Sequence, residues 1–287
     1  MPELPEVEAL RGFLAEKCVG RTFARVQLAS LATLKTFNPP LEALLGLEID
    51  SVERHGKFID IGAQGVHLVF HLARAGWLVW KDVLPDTHVR PGRGPLSLRV
   101  GLDDGSGFDL TEAGTRRKLA VHVVNDPADI PMVATLGPDP LSPEFTQDVF
   151  AAILEHAGRS QLKGVLRDQR TIAGIGNAYS DEILHAAKLS PFKPANGLSD
   201  AELDTLYSAL TSELAGAIER ASGLAAKDLK DNKRTSMRVH GRTGQPCPVC
   251  GDTVAEVSFA DSSLQYCPTC QTGGKPLADR RMSRLLK

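Results

Sequence analysis

The chain has 287 residues, of which 42% are hydrophobic and 24% charged, and a formal net charge of −2. These are the proportions of an ordinary globular protein with room for two domains and a small module, which excludes a disordered, collagen-like or low-complexity chain. No apolar run reaches membrane length and no signal-peptide pattern is present, so a cytoplasmic protein without a membrane partner is expected. The charge is uneven: from Ala225 onward eleven Lys or Arg face six Asp or Glu, a balance of +5, which leaves −7 for the rest. A basic C-terminal fifth fits phosphate contact, and equally a solvated charged surface.

The chain opens Met1-Pro2-Glu3-Leu4-Pro5-Glu6. Removal of the initiator methionine would leave a proline secondary amine, a nucleophile at neutral pH able to attack a sugar anomeric carbon and form an iminium Schiff base. Glu3 and Glu6 place carboxyl groups within one helical turn, where one can donate or accept protons. The same residues also suit any helix start, with proline and acids in the first turn and an apolar stripe at Leu4, Val7, Leu10 and Leu14. Cys18 reads as a small buried hydrophobe.

Strand signals follow at 22–28, 47–54, 58–61, 66–72, 77–81, 96–102, 107–111 and 118–124. Turn residues such as Gly56, Gly65, Gly76 and the 103–107 run separate them, predicting antiparallel hairpins in a sandwich or flattened barrel. Residues 83–95 read as a surface loop, and the proline-rich 137–143 stretch marks passage to a helical region. Helices are predicted over 143–156 and 161–169, after the Ala173–Tyr179 segment to about Lys188, and over 199–221, the last opening on the capping box Ser199-Asp200-Ala201-Glu202. Gly174-Ile175-Gly176-Asn177 is either a tight interhelical turn or a glycine-backed approach to a phosphate, with Asn177 capping the helix or touching the phosphate itself.

Cys247, Cys250, Cys267 and Cys270 form two C-x-x-C pairs with sixteen residues between them. Four thiolates from two tight turns make a closed tetrahedral site for one structural Zn2+, and the intervening segment has the length of a β-hairpin that the metal would support.

Four segments together resemble one family, the formamidopyrimidine-DNA glycosylase and endonuclease VIII enzymes of base-excision repair. They are Met-Pro-Glu-Leu-Pro-Glu-Val-Glu at 1–8, His55-Gly56-Lys57, Gly174 to Glu182, and Gly241-Arg242-Thr243-Gly244-Gln245-Pro246-Cys247 with the remaining cysteines. The resemblance implies an α+β multidomain fold: an N-terminal β-sandwich flanked by helices over 1–135, a helix-two-turn-helix domain over 136–239, a zinc-finger hairpin over 240–274 and a basic tail over 275–287. It implies Pro2 as Schiff-base nucleophile, Glu3 as acid/base group, Glu6 as supporting carboxylate, and Lys57, Gly176 and Asn177 at DNA phosphates. The implied reaction is eversion of a damaged base from double-stranded DNA, its displacement by Pro2, and β- then δ-elimination, carried out by a monomer acting on the bacterial nucleoid.

Three departures qualify that picture. Residues 251–266 contain no Lys or Arg, whereas the family hairpin carries a phosphate-clamping arginine about where Ser262 stands; the tail from Ala278 is either a substitute or a disordered extension. Arg74 occupies the place of a wedging methionine, and Arg116, Arg117 and Lys118 form the second wedge loop without its aromatic residue. A guanidinium can stack on bases, and the alternative is a set of groove-facing charges. The 224–239 segment is shorter than the loop that encloses 8-oxoguanine in the formamidopyrimidine branch, as in the endonuclease VIII branch. The implied function is a bifunctional glycosylase and abasic-site lyase; the alternatives are a damage-binding protein of weak catalytic power on the same scaffold and a zinc-ribbon adaptor.

Overall fold

The computed structural model describes the whole chain except residues 88, 90, 91, 93, 115, 116, 260, 261 and 279–287. Arg116 and residues 279–287 of the basic tail therefore lie outside the described residues. Contacts divide the chain into two compact units, Met1–Leu136 with Ala221–Lys230, and Gly137–Arg220 with Asp231–Lys287. Among the described residues no helix is long and apolar enough to cross a membrane.

The first unit begins with helix α1 (Leu4–Cys18). Its stripe of Leu4, Val7, Leu10 and Leu14 is at most 1% exposed, as the helical spacing requires. Eight strands follow: β1 (Phe23–Leu28), β2 (Ser51–His55), β3 (Phe58–Ala63), β4 (Val66–His71), β5 (Gly76–Lys81), β6 (Leu96–Leu102), β7 (Gly107–Glu112) and β8 (Ala120–Val124). They form two four-stranded sheets of order β1-β6-β7-β5 and β2-β3-β4-β8, antiparallel throughout. Phe23, Ile61, Leu68, Phe70, Leu98, Val100 and Phe108, all buried, fill one core that also takes Val7, Leu10 and Leu14 of α1. This is the expected sandwich.

The strand expected over 47–54 is confined to its second half. Residues 47–49 instead pair with the start of β1, through Phe23 N–H to Leu47 O at 3.0 Å and Ile49 N–H to Arg21 O at 2.8 Å. The segment thus changes partners before it joins β3, and a pattern of alternating residues does not record which neighbour supplies the hydrogen bonds.

Residues 221–230 return to this unit. Ala221, Ala226 and Leu229 join the sandwich core, Trp77 Nε1–H donates to the Ala226 carbonyl at 3.1 Å, and Lys230 Nζ lies 4.5 Å from the centre of the Trp77 ring. The 224–239 segment, read from sequence as a short loop, is thus helical over its central half, Leu229–Ser236, and anchored at its start.

The second unit holds most of the helices. After the short α2 (Pro131–Ala134) of the first unit come α3 (Gln147–Ala157), α4 (Leu162–Arg167), α5 (Asn177–Ala186), α6 (Asp200–Ala221) and α7 (Leu229–Ser236). Helix α3 starts later than the sequence suggests because Thr146 Oγ1 accepts Val149 N–H at 3.3 Å and so caps it. The capping box before α6 is formed, with Ser199 N–H to Glu202 Oε2 at 2.9 Å and Glu202 N–H to Ser199 Oγ at 3.4 Å. The C-terminal module is a hairpin of β9 (Ala255–Ser258) and β10 (Ser263–Tyr266), followed by α8 (Pro268–Thr272).

Candidate active site

Helix α1 begins at Leu4, so Pro2 precedes the helix and Pro5 is the proline of its first turn. Glu3 occupies the N-cap position with φ −122°, and its N–H donates to Glu6 Oε2 at 2.8 Å. Pro2, Glu3 and Glu6 are all buried. The Glu3 side chain accepts the Glu6 N–H in return, so the two form a capping box: Glu6 holds the backbone on which Pro2 and Glu3 sit, and the reading of these acids as part of a helix start is correct for both.

Lys57 sits in the two-residue turn between β2 and β3, whose register pairs His55 with Phe58. Gly56 has φ 57°, a backbone that favours glycine. Arg54 braces the turn: its Nη1 donates to the Gly56 carbonyl at 3.1 Å and its Nε to Glu8 Oε2 at 2.7 Å. Burial opposes ionisation of Glu8, but the Arg54 and Arg11 guanidiniums outweigh it and hold the carboxyl below its usual range. Lys57 itself is 8% exposed. His71, paired with Phe58 across the sheet, is pushed down to about 4 by burial and by the positive charges of Lys57 and His122. It is thus neutral at physiological pH, and its Nδ1 accepts Ala73 N–H at 3.2 Å.

The two expected wedge loops meet at one end of the β5–β7 pair, where Gly76 lies opposite Glu112 and Ala113 N–H reaches the Ala75 carbonyl at 3.5 Å. Arg74 and Lys118 are exposed there, and Arg117 donates to the Gly94 carbonyl. Glu112, 1% exposed, fixes the base of the second loop by accepting Lys118 N–H at 2.8 Å and Leu119 N–H at 3.0 Å.

In the second unit Gly174, with φ 88°, gives its N–H to Gln169 Oε1 at 3.0 Å, and Gln169 Nε2 returns a bond to Ile175 O at 2.6 Å. The cap of α5 is Gly176, and Asn177 is the first helical residue. Asn177 Nδ2 donates to the Ser263 carbonyl of the zinc hairpin at 2.7 Å, while its buried Oδ1 has no partner. Lys163 Nζ binds the Asn177 carbonyl at 2.6 Å and Asp181 Oδ1 at 2.7 Å.

The Sγ atoms of Cys247, Cys250, Cys267 and Cys270 all lie within 4.8 Å of one another. Tetrahedral zinc with Zn–S near 2.3 Å requires Sγ separations of about 3.8 Å, so the cluster fits this ion. Burial pushes the Cys267 thiol up to about 11 and raises Cys270 as well, while hydrogen bonds at Asp252 and Cys267 hold Cys250 below its ordinary value; a bound cation supplies the charge that keeps clustered thiolates together. His185 Nε2 lies 3.3 Å from Cys247 Sγ, and burial keeps that imidazole neutral, able to donate N–H to sulfur.

Residues 1–121 match the family model described as the formamidopyrimidine-DNA glycosylase N-terminal domain, 136–228 that of the formamidopyrimidine-DNA glycosylase H2TH domain, and 244–273 the zinc finger found in FPG and IleRS. The formamidopyrimidine-DNA glycosylase of Symbiobacterium thermophilum is 35% identical over 98% of this chain and 93% of its own length. The chain belongs to the formamidopyrimidine-DNA glycosylase family. The crystal structure of MutM (Fpg) from Thermus thermophilus superposes with a TM-score of 0.78 at 33% identity, covering 96% of this chain and all of that one. Lactococcus lactis Fpg bound non-covalently to DNA containing an AP site gives 0.80 at 25% identity, covering 94% and 99%. An uncharacterised formamidopyrimidine-DNA glycosylase-like protein of Mycobacterium tuberculosis is 59% identical over 160 residues, 56% of this chain and 99% of that one.

The fold and the zinc centre of a formamidopyrimidine-DNA glycosylase are thus those expected from the sequence. What the sequence does not reveal is the support: Arg54 and Glu8 behind Lys57, Glu112 behind the loop that leads to Lys118, His71 beside Lys57, and His185 behind the cysteine cluster. Glu8 closes the 1–8 motif and His71 opens the segment that carries Arg74, whereas nothing local to Arg54, Glu112 or His185 marks them.

Proposed function

We propose that this chain is a bifunctional DNA glycosylase and abasic-site lyase that removes damaged, chiefly oxidised, bases from double-stranded DNA. The observation that carries the reading is the placement of Pro2 and Glu3 immediately before a helix whose first turn is locked by Glu6. Here the Pro2 nitrogen is acylated by Met1, which is 46% exposed; its removal would free the amine. The amine then attacks the deoxyribose C1′, the N-glycosidic bond breaks, and the departing base takes a proton from Glu3. The proline nitrogen then loses its proton, O4′ takes one up and the C1′–O4′ bond breaks, and the ring-opened iminium so formed acidifies the C2′ hydrogen. Its removal expels the 3′ phosphate by β-elimination, δ-elimination expels the 5′ phosphate, and water releases the proline.

Lys57 would neutralise a phosphate beside the everted nucleotide, held in register with α1 by the Arg54–Glu8 pair. Gly176 and Asn177 would meet the strand from the second unit, provided the Asn177 amide exchanges the Ser263 carbonyl for a phosphate oxygen. Relatives solved with abasic and 8-oxo-G containing DNA support the substrate class. The protein is taken to act as a monomer in the bacterial cytoplasm. Incubating it with an abasic duplex, beside Pro2→Gly, tests the reading: strand cleavage that needs Pro2 is expected, and equal cleavage by both proteins would refute it. Weak DNA binding without cutting would favour the damage-binding alternative.

A further inference from the structure

The zinc hairpin has no Lys or Arg between residues 251 and 266, yet a cation stands beside it. Arg167, in the last turn of α4, is exposed, and its Nη1 lies 3.5 Å from Ser262 Oγ. That contact is at the limit of a hydrogen bond and uses one of five donors, leaving the guanidinium open to a ligand. The neighbouring Asp168 carboxylate is turned to Arg170, with Nη2 at 3.3 Å. No carboxylate among the described residues forms an ion pair with Arg167.

Arg167 and Ser262 border a groove of about 370 Å3 whose lining includes Lys163, Phe192, Phe259 and Leu264. The Lys163 ammonium points away, into Asp181. Gln161 and Asp168 also line the groove, the latter engaged by Arg170, and an open guanidinium beside a hydroxyl and the apolar side chains of Phe192, Phe259 and Leu264 suits one oxyanion held by charge-assisted bonds at the groove edge.

We propose that Arg167 is a DNA-phosphate-binding residue, which with the Ser262 hydroxyl clamps a backbone phosphodiester and supplies from helix α4 the positive charge that the zinc hairpin lacks. This rests on the reading of the chain as a DNA glycosylase. The clamp is then built between two elements of the second unit, and the Asn177–Ser263 bond ties the same hairpin to α5.

The test uses the full-length, zinc-loaded protein and a duplex carrying a tetrahydrofuran abasic analogue, with affinity measured across a salt series. Arg167→Ala is expected to weaken binding about tenfold and to lower the log–log salt slope by about 0.9, the contribution of one phosphate contact. Arg167→Lys should retain most of the slope, and Ser262→Arg added to Arg167→Ala should restore both affinity and slope with unchanged melting and zinc content. Wild-type affinity and slope in Arg167→Ala, while wild type still cuts abasic DNA, would overturn the clamp and leave the proposed function standing. A loss that Ser262→Arg does not restore, or a slope that falls only on deleting residues 278–287, would also overturn it. Failure of wild type to bind or cut would remove both readings.

Discussion

Arg54 Nε lies 2.7 Å from Glu8 Oε2, a pair 46 residues apart in sequence that joins the helix carrying Pro2 and Glu3 to the turn carrying Lys57. The Arg54 side chain is 6% exposed and that of Glu8 19%, so the pair is poorly screened and geometry outweighs entropy. Arg54→Met should destabilise the protein by about 2 kcal/mol, as for loss of a charge-assisted bond, and slow abasic-strand cutting. Glu8→Gln should do the same less severely. A double-mutant cycle on thermal stability and cutting rate measures the coupling; additive effects would deny the brace.

Because the folded-state pKa of His71 lies at about 4, below the ordinary 6.5, the folded state binds fewer protons than the unfolded chain between these values. Its contribution to stability is complete above pH 6.5 and is lost as pH falls towards 4, by on the order of 3 kcal/mol. Protonation of Nδ1 would also break its bond to Ala73 N–H and release the turn that presents Arg74. Denaturant unfolding of His71→Phe across this window should show a flatter pH dependence than wild type; parallel curves would contradict the assignment.

Arg74 is exposed at the tip of a turn that Ala73, at φ 52°, bends sharply. If its guanidinium pairs with or stacks on the orphaned base, Arg74→Ala should alter the ranking of lesions placed opposite A, C, G and T. Single-turnover rates opposite each base decide the matter, since a uniform loss would leave Arg74 as a phosphate contact only.

Zinc removal is expected to unfold the hairpin, because the apolar cluster that includes the cysteines is small, built on Val239, Cys247, Val254 and Cys267. DNA affinity should fall with it. His185→Phe removes the N–H donor to Cys247 and should weaken zinc retention against a chelator by about tenfold. Retention equal to wild type would make His185 a packing residue.

The parts of this molecule that were legible in sequence are those with local signals. The α1 stripe repeats at helical spacing, strands are separated by glycine turns, and the cysteine pairs announce their metal. Helix α7 was not legible because Leu229-Lys230-Asp231-Asn232-Lys233-Arg234-Thr235-Ser236 offers one apolar side chain; Leu229 and the Trp77–Ala226 bond position its start instead. Arg54, Glu112 and Arg167 act through partners 46, 6 to 7 and 95 residues away respectively, and neither period nor composition encodes such pairings. Arg167 in particular reads as an ordinary basic residue at a helix C-terminus.

The most direct measurement of the central claim is borohydride trapping of the purified protein on a duplex with one abasic site, beside Pro2→Gly, with the products sized on a gel. The account predicts a covalent adduct and β,δ-elimination products with the wild type and neither with Pro2→Gly; tight binding by the wild type without adduct or cleavage would contradict it.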